Sequence, residues 1–262
     1  MCDIRPKLDP QELSLNGRVA LITGGARRLG RAIALKLAQA GANIAIHYRT
    51  SAREASETQQ ILVEMGVDAV TVQGDLSRTA EATRIVDQAA AAWGRLDILV
   101  NNASAFAHTP LGSVTETQWD LLLDTNLKGP FFCAQQAGTL MRQQGNGVII
   151  NLIDTGIYLA WPGYVPYLIS KAGLEQMTYG LARALAPQVR VNGIAPGPAL
   201  LEDDHTPEER ERFIKNTLLR TIGGAHTIAG AALYLAEADF VTGVVIPVDG
   251  CLLYTSDAAD DQ

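Results

Sequence analysis

The sequence predicts one α/β domain built on a doubly wound parallel sheet with helices on both faces. Three observations carry this. Short apolar runs alternate with helix-like segments from residue 18 to residue 250, the pattern of successive strand–helix–strand units. The strand-like runs are almost wholly apolar, as in VALI and GVIINLI, which strands covered on both faces require. The first run also feeds a glycine-rich turn that leads straight into a helix.

Taken in order, Arg18–Thr23 is a short apolar run closed by glycines and forms the first buried strand. After Gly30, RAIALKLAQAG carries apolar residues at helical spacing and stops at Gly41. NIAIHY and SAREASETQQILVEMG repeat the unit, as do DAVTVQGD and TAEATRIVDQAAAAWG. LDILVNNA is the fourth strand. TETQWDLLLDTNLKGPFFCAQQAGTLMRQQG follows as a long helix, with an irregularity expected at Gly129-Pro130. GVIINLI, VRVNGIAPG and GVVIPVDG are the remaining strands. The helix around Tyr167 separates the first two of these; TPEERERFIKNTLL and HTIAGAALYLAEAD separate the last two. Thr206 fits an N-cap, with Pro207 at the first helical position. Residues 1–16 read as a polar N-terminal arm, 17–253 as the domain and 254–262 as a tail, with no repeat or linker between.

Composition narrows the function classes. Hydrophobic residues make up 47% of the 262, ample for a core. The net charge of -7 argues against a nucleic-acid surface, although Arg27, Arg28 and Arg31 form a local basic cluster. Cys2, Cys133 and Cys251 lie far apart with no CxxC, which points to a reducing compartment without disulfides or a zinc site. The first residues lack an apolar signal segment, and no apolar run is long enough to span a membrane. The expectation is a soluble cytoplasmic protein that acts on a small molecule and holds no metal.

The chemistry centres on Tyr167 and Lys171, four residues apart at the start of a helix. Positions i and i+4 share one helix face. An ammonium beside a phenol favours the phenolate and lowers the phenol pKa, making a better proton donor at working pH. The bland alternative is a surface pair. The turn from Thr23 to Gly30 (TGGARRLG) lies where a dinucleotide pyrophosphate docks on backbone N–H groups and a helix dipole. The second strand ends in His47-Tyr48-Arg49-Thr50-Ser51. A ribose 2′-hydroxyl is met by an acid in this region, a 2′-phosphate by arginine. No acid is present, and Arg49 with Ser51 favours NADP(H) over NAD(H).

TGGARRLG, Gly74-Asp75-Leu76, Asn101-Asn102-Ala103-Ser104, Asn126, Tyr167-x-x-x-Lys171 and Pro196-Gly197 together resemble the short-chain dehydrogenase/reductase family, in its order and spacing over about residues 17–251. The resemblance implies a Rossmann fold with seven parallel strands and a nicotinamide cofactor. The cofactor would meet Gly24, Arg28, Leu29 and Gly30 of the turn, and His47, Tyr48, Arg49 and Ser51 after the second strand. Asp75 and Leu76 would lie beside the adenine, Asn102, Ala103 and Ser104 along the cofactor, and Pro196 and Gly197 would also meet it. Tyr167 would be the proton donor, Lys171 would hold the nicotinamide ribose and lower the Tyr167 pKa, and Asn126 would have a structural and proton-relay role. A homotetramer is also implied, and the helices around 115–141 and 164–186 keep apolar outer faces for it.

Three departures from the family pattern narrow the resemblance. Asp154 stands where the family has a serine, Arg28 where it has a glycine, and NNAS followed by Phe106 where it has NNAG. These resemble the pteridine reductase branch, which includes bacterial dihydromonapterin reductases. That implies reduction of pterins, with folates as a further class. Asp154 can hydrogen-bond a pterin's amino and ring N–H groups and help deliver a proton. Phe106 offers a flat face for stacking. Arg28 can reach the cofactor phosphates and the pterin's polar edge, and Ser104 can bond both. Each also has an ordinary reading: Asp154 as a surface residue, Phe106 as core, Arg28 as a solvated arginine. Tyr164 is expected to border the pocket; Leu200, Leu201 and Phe213 are expected to close over substrate; His205 is expected on the surface. Two other functions stay open. One is a ketone reductase acting on 3-oxoacyl or similar carbonyls, against which Asp154 speaks. The other is a catalytically silent NADPH-binding regulatory protein, against which Tyr167, Lys171 and Asn126 speak.

Overall fold

The computed structural model describes residues 14–199 and 206–254. Leu200, Leu201 and His205 lie outside the described residues, as do most of the N-terminal arm and the tail from 255 onward.

The elements run β1 (Val19–Ile22), α1 (Arg28–Gln39), β2 (Asn43–Tyr48), α2 (Ala52–Glu64), β3 (Ala69–Gln73), α3 (Thr79–Ala91), β4 (Ile98–Asn101) and α4 (Glu116–Leu123). A π turn (Asp124–Lys128), α5 (Gly129–Gln144), β5 (Gly147–Leu152), α6 (Gly156–Leu159), a 3-10 turn (Pro162–Tyr164) and α7 (Val165–Leu185) follow. β6 (Val189–Pro196), α8 (Pro207–Lys215), α9 (Ala225–Glu237) and β7 (Val245–Val248) complete the domain. The seven strands are parallel in the order β3-β2-β1-β4-β5-β6-β7. The chain therefore winds outward from β1, then returns to its other side at β4. Ligands of such sheets bind beyond the carboxyl ends of the strands at that reversal.

Side-chain alternation explains the layering. Ala20 and Ile22 pack with Ile33 and Leu37 of α1 and Leu235 of α9. Val19 and Leu21 point the other way, into a layer with Ile85, Val86, Cys133 and Met141. Successive strand residues face opposite sides of the sheet, and each fully buried Leu or Ile contributes roughly 1.5–3 kcal/mol. Both faces must therefore be covered. α8 starts with the expected cap: Thr206 Oγ1 accepts from Glu209 N at 3.2 Å, and Thr206 N donates to the Glu209 carboxylate at 2.8 Å.

Three details depart from the sequence expectation. Leu15, placed by sequence in the polar arm, is 1% exposed, and its N–H donates to the Ala40 carbonyl. A lone leucine among polar residues has no periodicity to betray it. The long helix is interrupted one turn before Gly129-Pro130, by the π turn Asp124–Lys128. A Cβ on Gly129 would sit 2.5 Å from the Leu76 carbonyl oxygen, so the backbones approach closely there. α6 and the 3-10 turn were not expected; TGIYLAWPGY is too short to show a helical period. Among the described residues, no helix is long and apolar enough to cross a membrane.

Candidate active site

The cofactor turn is held from β4. Asn102 Nδ2 donates to the carbonyls of Thr23 (2.8 Å) and Gly24 (3.2 Å). Thr23 Oγ1 accepts from the N–H groups of Asn102 (2.9 Å) and Ala103 (3.0 Å). Gly24 has φ +62, and a Cβ on Gly30 would lie 2.3 Å from the Gly24 carbonyl oxygen. The turn thus presents bare backbone at the start of α1, as a pyrophosphate requires. Arg28 sits at φ +53, the left-handed region a glycine would occupy freely; keeping a non-glycine there costs about 1–2 kcal/mol. Its side chain is exposed, as is that of Arg49 after β2, while Tyr48, Ser51 and Asp75 are half-buried. For Asp75, burial opposes ionisation, but hydrogen bonds from Ser77 and the charges of Arg49 and Arg78 outweigh it and hold the carboxyl below its usual range. A glycine cradle with arginines at both ends fits a dinucleotide carrying a 2′-phosphate.

Two of the expected cofactor residues have buried side chains. His47 is 2% exposed and Leu76 3%. Leu76 packs in the layer with Ile85 and Leu99. The His47 ring is spent on backbone groups of the turn and of β3's end.

Asp154 follows the end of β5, and Tyr167 and Lys171 stand on the first turns of α7. Tyr167 Oη donates to Asp154 Oδ2 at 2.6 Å, and Asp154 Oδ1 accepts from Gly156 N at 2.7 Å. Lys171 Nζ donates to the Leu152 carbonyl at 2.8 Å and lies 5.8 Å from the Tyr167 ring centroid. The expectation that Lys171 lowers the Tyr167 pKa is not met. Burial raises the phenol well above its ordinary value; the Asp154 charge and hydrogen bond raise it further, and the Ser104 hydroxyl opposes them weakly. The reasons are burial first and the carboxylate second, while the Lys171 ammonium turns to a backbone carbonyl instead. Burial brings Lys171 itself down to about 8, against the pull of Asp154.

Asn126 projects from the π turn and is fully buried. Its Oδ1 accepts from Ala105 N (2.7 Å) and Ser104 Oγ (3.2 Å); its Nδ2 donates to the Ala105 carbonyl (2.9 Å) and Ser170 Oγ (3.1 Å). All four side-chain bonding positions are taken. The side chain fixes the loop after β4.

Phe106 is 56% exposed at the mouth, so it is not core. One face stacks on Tyr164 (4.8 Å, 11°), and its ring meets Tyr167 edge-on (4.8 Å, 87°). His108 and Trp161 back Tyr164; neither stands in a motif, so sequence gave no sign of them. Pro196 and Gly197 close the far side. The Pro196 carbonyl accepts from Thr155 N and Oγ1, and a Cβ on Gly197 would lie 2.6 Å from Asp249. Phe213 is half-buried on α8.

A family model described as Enoyl-(Acyl carrier protein) reductase matches residues 24–252. The chain belongs to the short-chain dehydrogenase/reductase family. It is an oxidoreductase of that family. The 3-oxoacyl-acyl-carrier-protein reductase FabG of Staphylococcus aureus (strain Mu50) is 35% identical over 236 residues, covering 88% of this chain and 96% of that protein. Among solved structures, a chain described as a short-chain alcohol dehydrogenase of Sinorhizobium meliloti 1021 superposes with TM-score 0.88 at 38% identity, covering 93% of this chain and 99% of that one. FolM alternative dihydrofolate reductase 1 of Brucella canis, complexed with NADP, gives TM-score 0.88 at 32% identity, covering 95% and 99%.

Proposed function

We propose that this short-chain reductase uses NADPH to reduce the ring C=N of dihydropterins, with dihydrofolate as a second substrate class. The observation that carries the reading is the 2.6 Å hydrogen bond from Tyr167 to a carboxylate, Asp154, at the position of the family's serine. Arg49 and the lack of an acid after β2 support NADP(H) as cofactor, and the Brucella canis relative is complexed with NADP.

Bound NADPH supplies the hydride to the ring carbon. The chain's residues supply the proton for the ring nitrogen and the orientation. Tyr167 carries its proton at neutral pH, held more tightly because burial and Asp154 raise its pKa, and would give it to the ring nitrogen. Asp154, acceptor-only when ionised, suits the amino and ring N–H groups of a pterin and offers nothing to a ketone oxygen. Phe106 gives the flat ring an exposed aromatic face. Arg28 and Ser104 would contact both the cofactor and the pterin. Lys171 would hold the nicotinamide ribose.

A second reading, reduction of a 3-oxoacyl or similar ketone, is favoured by the 35% identity to the Staphylococcus FabG. NADPH oxidation with dihydrobiopterin, dihydromonapterin and dihydrofolate beside two β-ketoacyl substrates separates the two. Turnover of pterins alone supports the first; turnover of ketones alone replaces it with the second. NADPH binding with no turnover of either class would leave a silent binding protein.

The assembly we infer is a homotetramer. Trp119 and Leu121 on α4, Phe131 on α5, and Val165, Ile169 and Tyr179 on α7 are each at least 37% exposed, an apolar surface suited to a second copy. A solution mass measurement tests this, and a monomer rejects it.

A further inference from the structure

His47, expected to meet the cofactor, is buried with its ring bonded to the backbone of the glycine turn. Its Nδ1 accepts the Gly24 N–H at 3.1 Å. Its Nε2 lies 3.1 Å from the Gly74 carbonyl. A donor at Gly24 requires a lone pair on Nδ1, so the neutral ring carries its proton on Nε2 and donates it to Gly74. The His47 carbonyl accepts the next turn amide, Gly25 N–H, at 3.0 Å. Thr58 of α2, also fully buried, donates to the Ala26 carbonyl at 3.0 Å. Three successive turn residues are therefore tied to the β2–α2 unit. That unit carries Arg49 and Ser51, and Gly74 leads directly into Asp75.

We propose that His47 is a positioning residue for the cofactor: through Gly24 and Gly74 it locks the pyrophosphate turn to the strand ends that meet the 2′-phosphate and the adenine. The proposal rests on the NADP reading and not on the pterin reading. An apolar side chain in place of His47 would leave the part-buried Gly24 N–H without its acceptor. Burial lowers the ring's pKa to about 4; the Gly74 carbonyl, Asp75 and Glu81 pull it up and Arg84 pulls it down. The acceptor on Nδ1 is thus kept at neutral pH.

The test is direct titration of NADPH and NADH onto the full chain by fluorescence, for wild type, His47→Leu, His47→Gln and Arg49→Ala. The expected result is that His47→Leu weakens both cofactors by about tenfold or more, the size of one lost buried acceptor, because the turn serves both. His47→Gln, whose amide can accept and donate, recovers most of that loss. In steady state the loss falls on KM for NADPH rather than on kcat. An unchanged NADPH Kd in folded His47→Leu overturns the proposal, and so does an equal loss in the Gln and Leu variants. Should His47→Leu not fold, hydrogen exchange in the wild type decides: a protected Gly24 amide supports the lock, and one exchanging at the rate of an open loop overturns it. Arg49→Ala weakening NADPH and NADH equally would reject the 2′-phosphate assignment while leaving His47 in place.

Discussion

Tyr167 and Asp154 share a hydrogen bond of 2.6 Å across thirteen residues of sequence, and Lys171 turns its ammonium to the Leu152 carbonyl beside them. Burial and this carboxylate, rather than the ammonium, set the phenol's pKa, and its proton is held more tightly than in a free phenol.

Tyr167→Phe removes that proton and little else, since the ring keeps its contact with Phe106. Turnover should fall by about 10²–10⁴, with the NADPH Kd within about twofold of wild type. Steady-state kinetics beside a binding titration checks both; an unchanged rate would remove Tyr167 from the mechanism.

Asp154→Ser takes an anion from the phenol. The sign follows: the carboxylate raises the Tyr167 pKa, so its loss lowers it. The alkaline limb of the kcat profile should move to lower pH. Pterin turnover should fall while activity on β-ketoacyl substrates holds or rises. A profile that stays put would show that Asp154 does not govern the donor.

His47 gives the fold an acid limit. Its pKa is about 4 folded against 6.5 ordinarily. Between those values the unfolded chain takes up a proton that the folded chain refuses, so stability is full above pH 6.5 and is lost as pH falls toward 4. At 1.36 kcal/mol per pH unit the loss is about 3 kcal/mol from this residue. Urea unfolding at pH 7 and pH 4.5 should show a smaller acid loss in His47→Gln than in wild type; an equal loss would assign acid lability elsewhere.

The strands and the site were legible for one reason: both rest on local pattern. NIAIHY is β2 to the residue, because a strand covered on both faces is mostly apolar. Tyr167, Lys171 and the glycine turn are fixed spacings within one segment. What was illegible depends on partners distant in sequence. Lys171 bonding the Leu152 carbonyl, His47 bonding the Gly24 N–H and Asn126 using all four bonds on residues 104, 105 and 170 are facts of packing. The π turn was misplaced because proline marks where a helix is weak, while the close approach of Gly129 to Leu76 decides where the chain must adjust.

Gly30→Ala is a one-carbon probe of the cofactor turn. The new Cβ would meet the Gly24 carbonyl oxygen at 2.3 Å and Asn102 Nδ2 at 2.6 Å, and neither can yield without moving the turn. NADPH affinity should drop by about tenfold or more, and stability by about 1–3 kcal/mol. A titration with a thermal melt reads both. Wild-type affinity would mean the cofactor does not approach this backbone.

Phe106→Ala separates the two substrate readings while leaving the Tyr167 hydroxyl and Asp154 in place. The ring is 56% exposed, so its removal costs the fold little. An aromatic stack is worth about 0.5–1.5 kcal/mol beyond area burial, equivalent to about 2–12-fold in affinity. KM for a dihydropterin should rise by at least that factor, since buried area is lost as well, while the NADPH Kd stays put. A β-ketoacyl substrate has no flat ring to stack, so its KM should hardly move. If Phe106→Ala instead leaves pterin KM unchanged, the ring is a lip of the pocket and Asp154 alone carries the case for a pterin.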